Sequence, residues 1–171
     1  MSTINVPRQA LLFNAIVEVS LRTLIVLTAL SPASHDIEEL VIFDYLLVHS
    51  GDVPEGPDSL HPALPHRTSE LFVRRGIIRR ALEMLEARHL VRRHLSANGI
   101  SFSSSELAGP FLDHLHSTHA HHARAIATWL RQRFGSMSRS DIEAFMNENI
   151  GRWGAEMDFA FPDHEEMVSS L

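Results

Sequence analysis

The sequence lacks cysteine and lysine entirely and has few aromatic residues. Without cysteine it can form no disulfide, thiolate nucleophile or cysteine-ligated metal centre. Without lysine it has no phosphate-binding loop of the GxxxxGK[ST] type, and neither GxGxxG nor GxSxG occurs. The carboxylates show no spacing that suggests an acid/base pair. We therefore predict no catalytic residue, no cofactor and a non-enzymatic chain.

A membrane span and a secretion signal are also not indicated. No basic run precedes the apolar stretch from Leu11 to Leu30, as a signal peptide would require. Glu18 and Arg22 lie near the centre of that stretch, where charges are costly in a bilayer. They are four residues apart and can pair on one face of a helix. We expect a cytoplasmic protein without membrane contact.

The sequence does contain an uneven distribution of charge. All 15 basic residues are arginine, and the net charge is −6. Residues 67–93 hold eight arginines against three acids, whereas residues 1–66 and 94–171 carry −6 and −5. A basic middle between acidic ends indicates contact with an acidic partner or with nucleic acid.

Periodicity predicts a mainly helical single domain over 1–171. Residues 9–30 form a helix with a very wide apolar face, to be buried either centrally in the chain's own core or in a partner protein. Helices are expected from about Asp36 to Ser50, and from Thr68 or Ser69 to about Arg88 with a possible break at Gly76.

A change of period to two predicts a β-hairpin over 90–104. Asn98-Gly99 is a strong turn signal, and a turn centred there pairs Leu95 with Phe102 and Ala97 with Ile100. The order of three helices and a hairpin is that of a winged helix. We therefore predict a winged-helix-like core over 34–104, with the hairpin as its wing.

The remainder, 105–171, is predicted to be a helical extension. One long helix is expected from Pro110 to about Phe134, and a short one over Asp141–Asn149 with Ser138 or Ser140 as its cap. Residues 136–171 receive no functional assignment.

Five histidines crowd the predicted helix that starts at Pro110. They are His114, His116, His119, His121 and His122. Histidines three or four apart on a helix can share a metal, but Asp113 is the only acid nearby and HExxH is absent. We predict no metal site and interpret the histidines as a polar or interface-facing stretch; a histidine-metal hydrolase is the alternative.

The arginines are the main functional signal. We expect contact with DNA or a partner protein through the predicted third helix and the wing, at Arg74, Arg75, Arg79, Arg80, Arg92 and Arg93. Glu83 is spaced to pair with Arg79 and Arg80, so local ion pairs are a further possibility. For the first helix, a partner-helix interface is expected at Phe13, Val17, Leu24 and Leu27.

Several stretches resemble one protein family. They are Asn14–Leu27 (NAIVEVSLRTLIVL), Asp44–Asp52 (DYLLVHSGD), Gly56–Pro62 (GPDSLHP), Glu70–Arg75 (ELFVRR), 90–102 (LVRRHLSANGISF) and 111–115 (FLDHL). Together they resemble the middle component of ABC-three-component systems, the class that includes the Lamassu defence systems of bacteria.

The resemblance implies two protein partners, an SMC-like ATPase and an effector that is often a nuclease, with DNA reached through the complex. It implies a non-enzymatic adaptor that bridges them in anti-phage or anti-plasmid defence. A stand-alone winged-helix DNA-binding regulator is the alternative.

Overall fold

The computed structural model describes the backbone of residues 8–61 and 68–153 and the side chains of 15–61 and 74–149. The elements are α1 (Arg8–Ala29), α2 (Ile37–Val48), a 3₁₀ turn (Ser50–Asp52), α3 (Thr68–Glu86), β1 (Val91–Ser96), β2 (Gly99–Ser104), α4 (Ala108–Asp113), α5 (Thr118–Phe134) and α6 (Arg139–Trp153). The prediction of a mainly helical chain with one hairpin is confirmed for this part of the chain. No described helix combines the length and apolar character needed to cross a membrane.

Helix α1 lies at the centre of the hydrophobic core. It packs against α2, α3, α5 and β2, and Leu24 and Leu27 are fully buried. The wide apolar face was expected to be buried either in the chain's own core or in a partner protein. For the C-terminal half of α1, it is buried in the chain's own core. The core continues through α2, α3, the base of the hairpin and α5 to Ile142 and Met146 of α6.

Helix α2 begins at a capping box. The Asp36 carboxylate accepts the backbone N–H of Glu39, and the Glu39 carboxylate accepts that of Asp36. Both carboxylates also lie at the positive end of the helix dipole. After this cap, every residue from Leu40 to Val48 is buried.

Helix α3 is continuous through Gly76, so the break suggested there is wrong. One glycine costs an exposed helix only about 1 kcal/mol, which the packing of Ile78, Leu82 and Leu85 against the core offsets. Arg75, Arg79 and Arg80 lie on the exposed face of this helix.

The hairpin is present, but its register differs from the predicted one. Leu95 pairs with Ile100, and Phe102 pairs with Arg93 rather than with Leu95. The two-residue loop is therefore Ala97-Asn98, with Gly99 next at φ 112°. The Ser96 hydroxyl accepts the N–H of Asn98. Pairing has shifted by two residues, which leaves every side chain on its predicted face.

The long helix expected from Pro110 to Phe134 is two helices. Helix α4 ends at Asp113, and α5 starts after Ser117, whose extended backbone and hydroxyl cap the N–H of Ala120. Pro110 is the third residue of α4 rather than the first of a long helix. Because Ser117 offers a new cap, the chain can turn within the histidine-rich stretch.

Of the two caps proposed for the last helix, Ser138 is the one used. Ser138 and Asp141 exchange side-chain and backbone hydrogen bonds, each 3.2 Å long. Glu143 instead pairs with Arg139 at 2.8 Å, so the predicted box between Ser140 and Glu143 is wrong. The helix is also longer than predicted, since it reaches Trp153. Residues 154–171 lie outside the described part.

Candidate functional site

The six arginines singled out in the sequence occupy three different environments. Arg74 is buried, with 8% of its surface exposed. Arg75, Arg92 and Arg93 are exposed and each pairs with a carboxylate of this chain. Arg79 and Arg80 are exposed and make no ion pair within the described residues. The six therefore do not form one contact surface.

Arg74 belongs to an ion network inside the core. The centre of this network is Asp44 of α2, which is 2% exposed. Arg22 of α1 binds Asp44 in a bidentate manner, with Nε–Oδ1 2.7 Å and Nη2–Oδ2 3.2 Å. Arg74 of α3 donates to the same Oδ2, and its guanidinium lies 5.9 Å from the centre of the Tyr45 ring. The network therefore joins three helices through one carboxylate.

The pKa values of the network follow from this geometry. Burial alone would raise the pKa of Asp44, but the guanidinium groups of Arg22 and Arg74 outweigh it and hold that pKa below its ordinary value. Burial alone would lower the pKa of Arg22, but the carboxylates of Asp44 and Glu18 outweigh it and raise that pKa. Asp44 and Arg22 are therefore both charged near neutral pH.

Two parts of the predicted contact surface are corrected by this arrangement. Arg74 is a core residue, because its side chain is buried and its guanidinium group pairs with the Asp44 carboxylate. Leu24 and Leu27 are 0% exposed, so they pack inside the chain and present no surface to a partner helix. Val17 is 43% exposed and does reach solvent. The side chain of Phe13 lies outside the described residues.

Three of the surface arginines are held by neighbouring acids. Arg75 Nε lies 2.8 Å from Glu38 Oε1, Arg92 Nη2 lies 2.5 Å from Glu106 Oε1, and Arg93 Nη2 lies 2.6 Å from Glu86 Oε2. Arg93 also lies over the ring of Phe102, at 5.7 Å from its centre. Exposed pairs of this kind contribute up to about 1 kcal/mol each, so a partner could displace them at little cost.

Arg79 and Arg80 are different because no carboxylate of the described chain neutralises them. Glu83 has the spacing to do so, but it forms no ion pair with either arginine. Two adjacent guanidinium groups without a described acidic partner give the helix before the hairpin a positive surface feature. Within the predicted set, these two are the residues best placed for contact with an anion.

The tip of the hairpin carries an apolar feature that sequence reasoning missed. Leu95 is 78% exposed and its cross-strand partner Ile100 is 49% exposed. The predicted register paired Leu95 with Phe102, which is buried, and so concealed that the apolar pair at the tip reaches solvent. The presence of an apolar residue on each side of the loop, Leu95 and Ile100, was nevertheless a signal in the sequence for an apolar hairpin tip.

The ion network continues outward to two histidines. Arg22 Nη1 donates to Glu18 Oε1 at 2.7 Å, which confirms the predicted pair in α1. The same oxygen lies 3.1 Å from Nε2 of His61, and the ring of His119 lies 5.8 Å from that of His61. Burial lowers the pKa of His61, and Arg22, His119 and Arg74 lower it further against the opposing effect of Glu18.

The histidine-rich stretch is dispersed by the turn between α4 and α5. Only His119 of its five histidines meets His61 and Glu18. The Nδ1 atom of His114 lies 2.7 Å from the carbonyl oxygen of Pro110, where it helps to close α4. His116 and His121 are exposed. The sequence showed neither His61 nor Glu18 as companions of this stretch, because both are more than 50 residues away from it.

Comparison with known proteins identifies the family. The family model described as ABC-three component (ABC-3C) system Middle Component 2 matches residues 12–156. No curated protein and no solved structure matches the chain. The match includes all the residues that build the ion network and the arginine surface. The chain therefore belongs to the Middle Component 2 family and is an accessory middle component of an ABC-three-component system.

Proposed function

We propose that this chain is a non-enzymatic adaptor that bridges an SMC-like ATPase and a nuclease-type effector. The complex would act in the bacterial cytoplasm against phage or plasmid DNA, as in Lamassu systems. Membership of the middle-component family supports an accessory role, because it makes the chain one part of a multi-subunit system. The identities of the two partners rest on the family resemblance of the quoted sequence blocks.

One observation carries the adaptor proposal. Among the described residues, Arg79 and Arg80 have no ion-pair partner at the surface, whereas Arg74 and Arg75 on the same helix each pair with a carboxylate of this chain. Two unpaired cations on a rigid helix suit an acidic protein surface or a phosphate backbone. We place the docking contact with the ATPase here, on the exposed face of α3.

The hairpin tip supplies the second part of the contact. Leu95 and Ile100 form an exposed apolar pair, and the ion pair between Arg93 and Glu86 ties the hairpin to the end of α3. An apolar anchor beside charged residues is the usual composition of a protein interface. In this proposal α3 and the hairpin act as the recognition helix and wing of a winged helix that docks on protein.

A DNA-binding regulator is the second candidate function. In winged-helix proteins that bind DNA, the helix before the hairpin contacts the duplex, and this is the helix that carries Arg79 and Arg80. The net charge of −6 opposes this function, since non-specific DNA affinity comes from a positive surface. The two functions differ in whether the isolated chain binds a duplex.

Co-purification tests the adaptor proposal. The tagged chain is expressed with its gene neighbours, and the double variant Arg79→Ala with Arg80→Ala is compared with Arg131→Ala with Arg133→Ala. The second pair is an equal loss of charge on the exposed face of α5. We expect the parent and the α5 variant to retain a large ATPase and an effector, and the α3 variant to lose the ATPase.

Two results would overturn this assignment. If the parent chain is recovered alone from such extracts, it is not an adaptor. If the isolated parent binds duplex DNA at moderate salt and the α3 variant does not, the regulator is favoured, because phosphate contacts are salt-dependent. Equal loss of the ATPase in both double variants would place the contact elsewhere.

A further inference from the structure

Three potential metal ligands from distant parts of the chain meet at the outer end of the ion network. Glu18 comes from the middle of α1, His61 from the loop after the 3₁₀ turn, and His119 from the first turn of α5. One carboxylate oxygen and one nitrogen of each imidazole all lie within 4.8 Å of one another. The cluster is open to solvent, since the side chains of Glu18 and His61 are 42% and 38% exposed.

The distance between two of the three ligand atoms is close to that of a tetrahedral zinc site. Zinc binds histidine nitrogen and carboxylate oxygen at about 2.0–2.1 Å, so neighbouring tetrahedral ligands stand about 3.3 Å apart. Glu18 Oε1 and His61 Nε2 are already separated by 3.1 Å. His119 is exposed, and one of its ring nitrogens lies within 4.8 Å of both of the other ligand atoms.

The state of His61 is a second, independent indication. Its Nε2 is buried, and although it lies beside Glu18 it makes no contact with hydrogen-bond geometry. Buried polar atoms normally have a partner, and an ion is one of the explanations for an exception. The backbone holds the end of this loop in place, since Leu60 N–H donates to the carbonyl of Val48 at 3.1 Å.

The ion network also supplies the outer support that a metal site needs. Carboxylates that bind metals are usually oriented by further hydrogen bonds. Arg22 holds Glu18 Oε1 at 2.7 Å, and Asp44 in turn holds Arg22 on two atoms. A fixed carboxylate therefore faces two imidazoles.

We propose that Glu18, His61 and His119 bind one divalent transition metal of the zinc type. Two histidines and one carboxylate leave a fourth position open, which water or a partner's side chain would occupy. The metal would tie the loop after α2 and the start of α5 to the centre of α1. This proposal is independent of the adaptor function, because neither partner contributes to the three ligands.

Direct metal binding tests the proposal. The full chain, stripped with a chelator, is titrated with Zn²⁺ by calorimetry and with Co²⁺ by visible absorption, which becomes intense in tetrahedral sites. We expect one Zn²⁺ per chain and a raised melting temperature, because a ligand that binds the folded state stabilises it. His119→Ala should lower the affinity at least about tenfold.

The matched control is His121→Ala, on the same helix and also exposed, which should leave the affinity unchanged. Glu18→Gln and His61→Ala should weaken binding as His119→Ala does, with far-UV circular dichroism showing that each remains folded. Absence of stoichiometric Zn²⁺ binding by the parent would overturn the proposal. Equal effects of His119→Ala and His121→Ala would also overturn it, since they would indicate unspecific binding to the histidine-rich stretch.

Discussion

Asp44 is a charged residue on a helix whose other residues from Leu40 to Val48 are apolar and buried. Its charge is retained because guanidinium groups from α1 and α3 replace the water that it loses on folding. Their attraction offsets a large desolvation cost only while both signs are present. The role of this residue is therefore to set how three helices meet.

Replacing Asp44 by asparagine tests this role. Asp44→Asn keeps the side-chain volume but removes the negative charge that Arg22 and Arg74 share. We expect a loss of about 3–5 kcal/mol in the free energy of unfolding, measured by urea denaturation. Glu38→Gln, which breaks the exposed pair with Arg75, should cost at most about 1 kcal/mol. Similar losses in both variants would contradict a special role for the buried network.

The depressed pKa of Asp44 predicts how stability changes with acid. Its pKa in the unfolded chain is the ordinary 3.8 and is lower in the folded chain. The stabilisation is therefore complete above the unfolded pKa and is lost as the pH falls through the folded one.

In urea titrations between about pH 7 and pH 2, the stability difference between the parent and Asp44→Asn should be constant above ~pH 5 and shrink below it. If the stability difference instead grows as the pH falls, the pKa of Asp44 is not lowered by folding.

For Arg22, the sequence allowed one of its two ion-pair partners to be predicted and not the other. Glu18 and Arg22 share a helix, so their spacing of four residues was sufficient to pair them. Arg22 and Asp44 are 22 residues apart on different helices, and no local rule connects them. For the same reason, Arg74 looked like a surface residue in a run of arginines.

The boundaries of the elements depended on weak local signals that packing decides. In the hairpin, two registers differing by two residues present the same faces, so alternation could not choose between them. The observed register lets Phe102 exchange backbone hydrogen bonds with His35 while its ring is buried. In the histidine-rich stretch, Ser117 was a possible cap hidden within a helical pattern.

Replacing each of two glycines by alanine is expected to change the free energy of unfolding in opposite directions. A methyl group at Gly76, inside α3, would meet no atom of the described residues within 4 Å, so Gly76→Ala should raise the free energy of unfolding by about 0.5–1 kcal/mol. Gly99 follows the hairpin loop with φ 112°, a conformation strained for alanine.

Gly99→Ala should lower the free energy of unfolding by about 1 kcal/mol or more. Both changes are measured by urea denaturation, and each serves as the other's control. If Gly76→Ala is destabilising, the helix is not continuous there.

Across the whole molecule, folding separates residues that are buried in the core from residues that remain exposed at the surface. Three of the residues predicted to contact a partner, Arg74, Leu24 and Leu27, are buried. The exposed residues include Arg79, Arg80, Leu95 and Ile100. The proposed adaptor surface is therefore smaller than the arginine-rich segment, and it includes two apolar residues that were absent from the predicted set.

The hairpin tip provides a prediction for the assembled complex. Leu95→Ser with Ile100→Ser removes exposed apolar surface, so the isolated chain should unfold within about 0.5 kcal/mol of the parent. Co-purification of the ATPase with the tagged variant should fall several-fold, because buried apolar anchors dominate interfaces. Ser101→Ala with Ser103→Ala, on the opposite face of the hairpin, is the control. Unchanged recovery of the ATPase would exclude the tip from the interface.

The sequence by itself determined the helical class, the hairpin, the apolar first helix and the family resemblance. These follow from periodicity, turn residues and contiguous motifs, which act over a few residues. Only the tertiary structure decided which arginines pair with an acid of the described chain and that Glu18, His61 and His119 meet. Their neighbours come from helices and loops far apart in the chain, and the packing that unites them depends on the whole core.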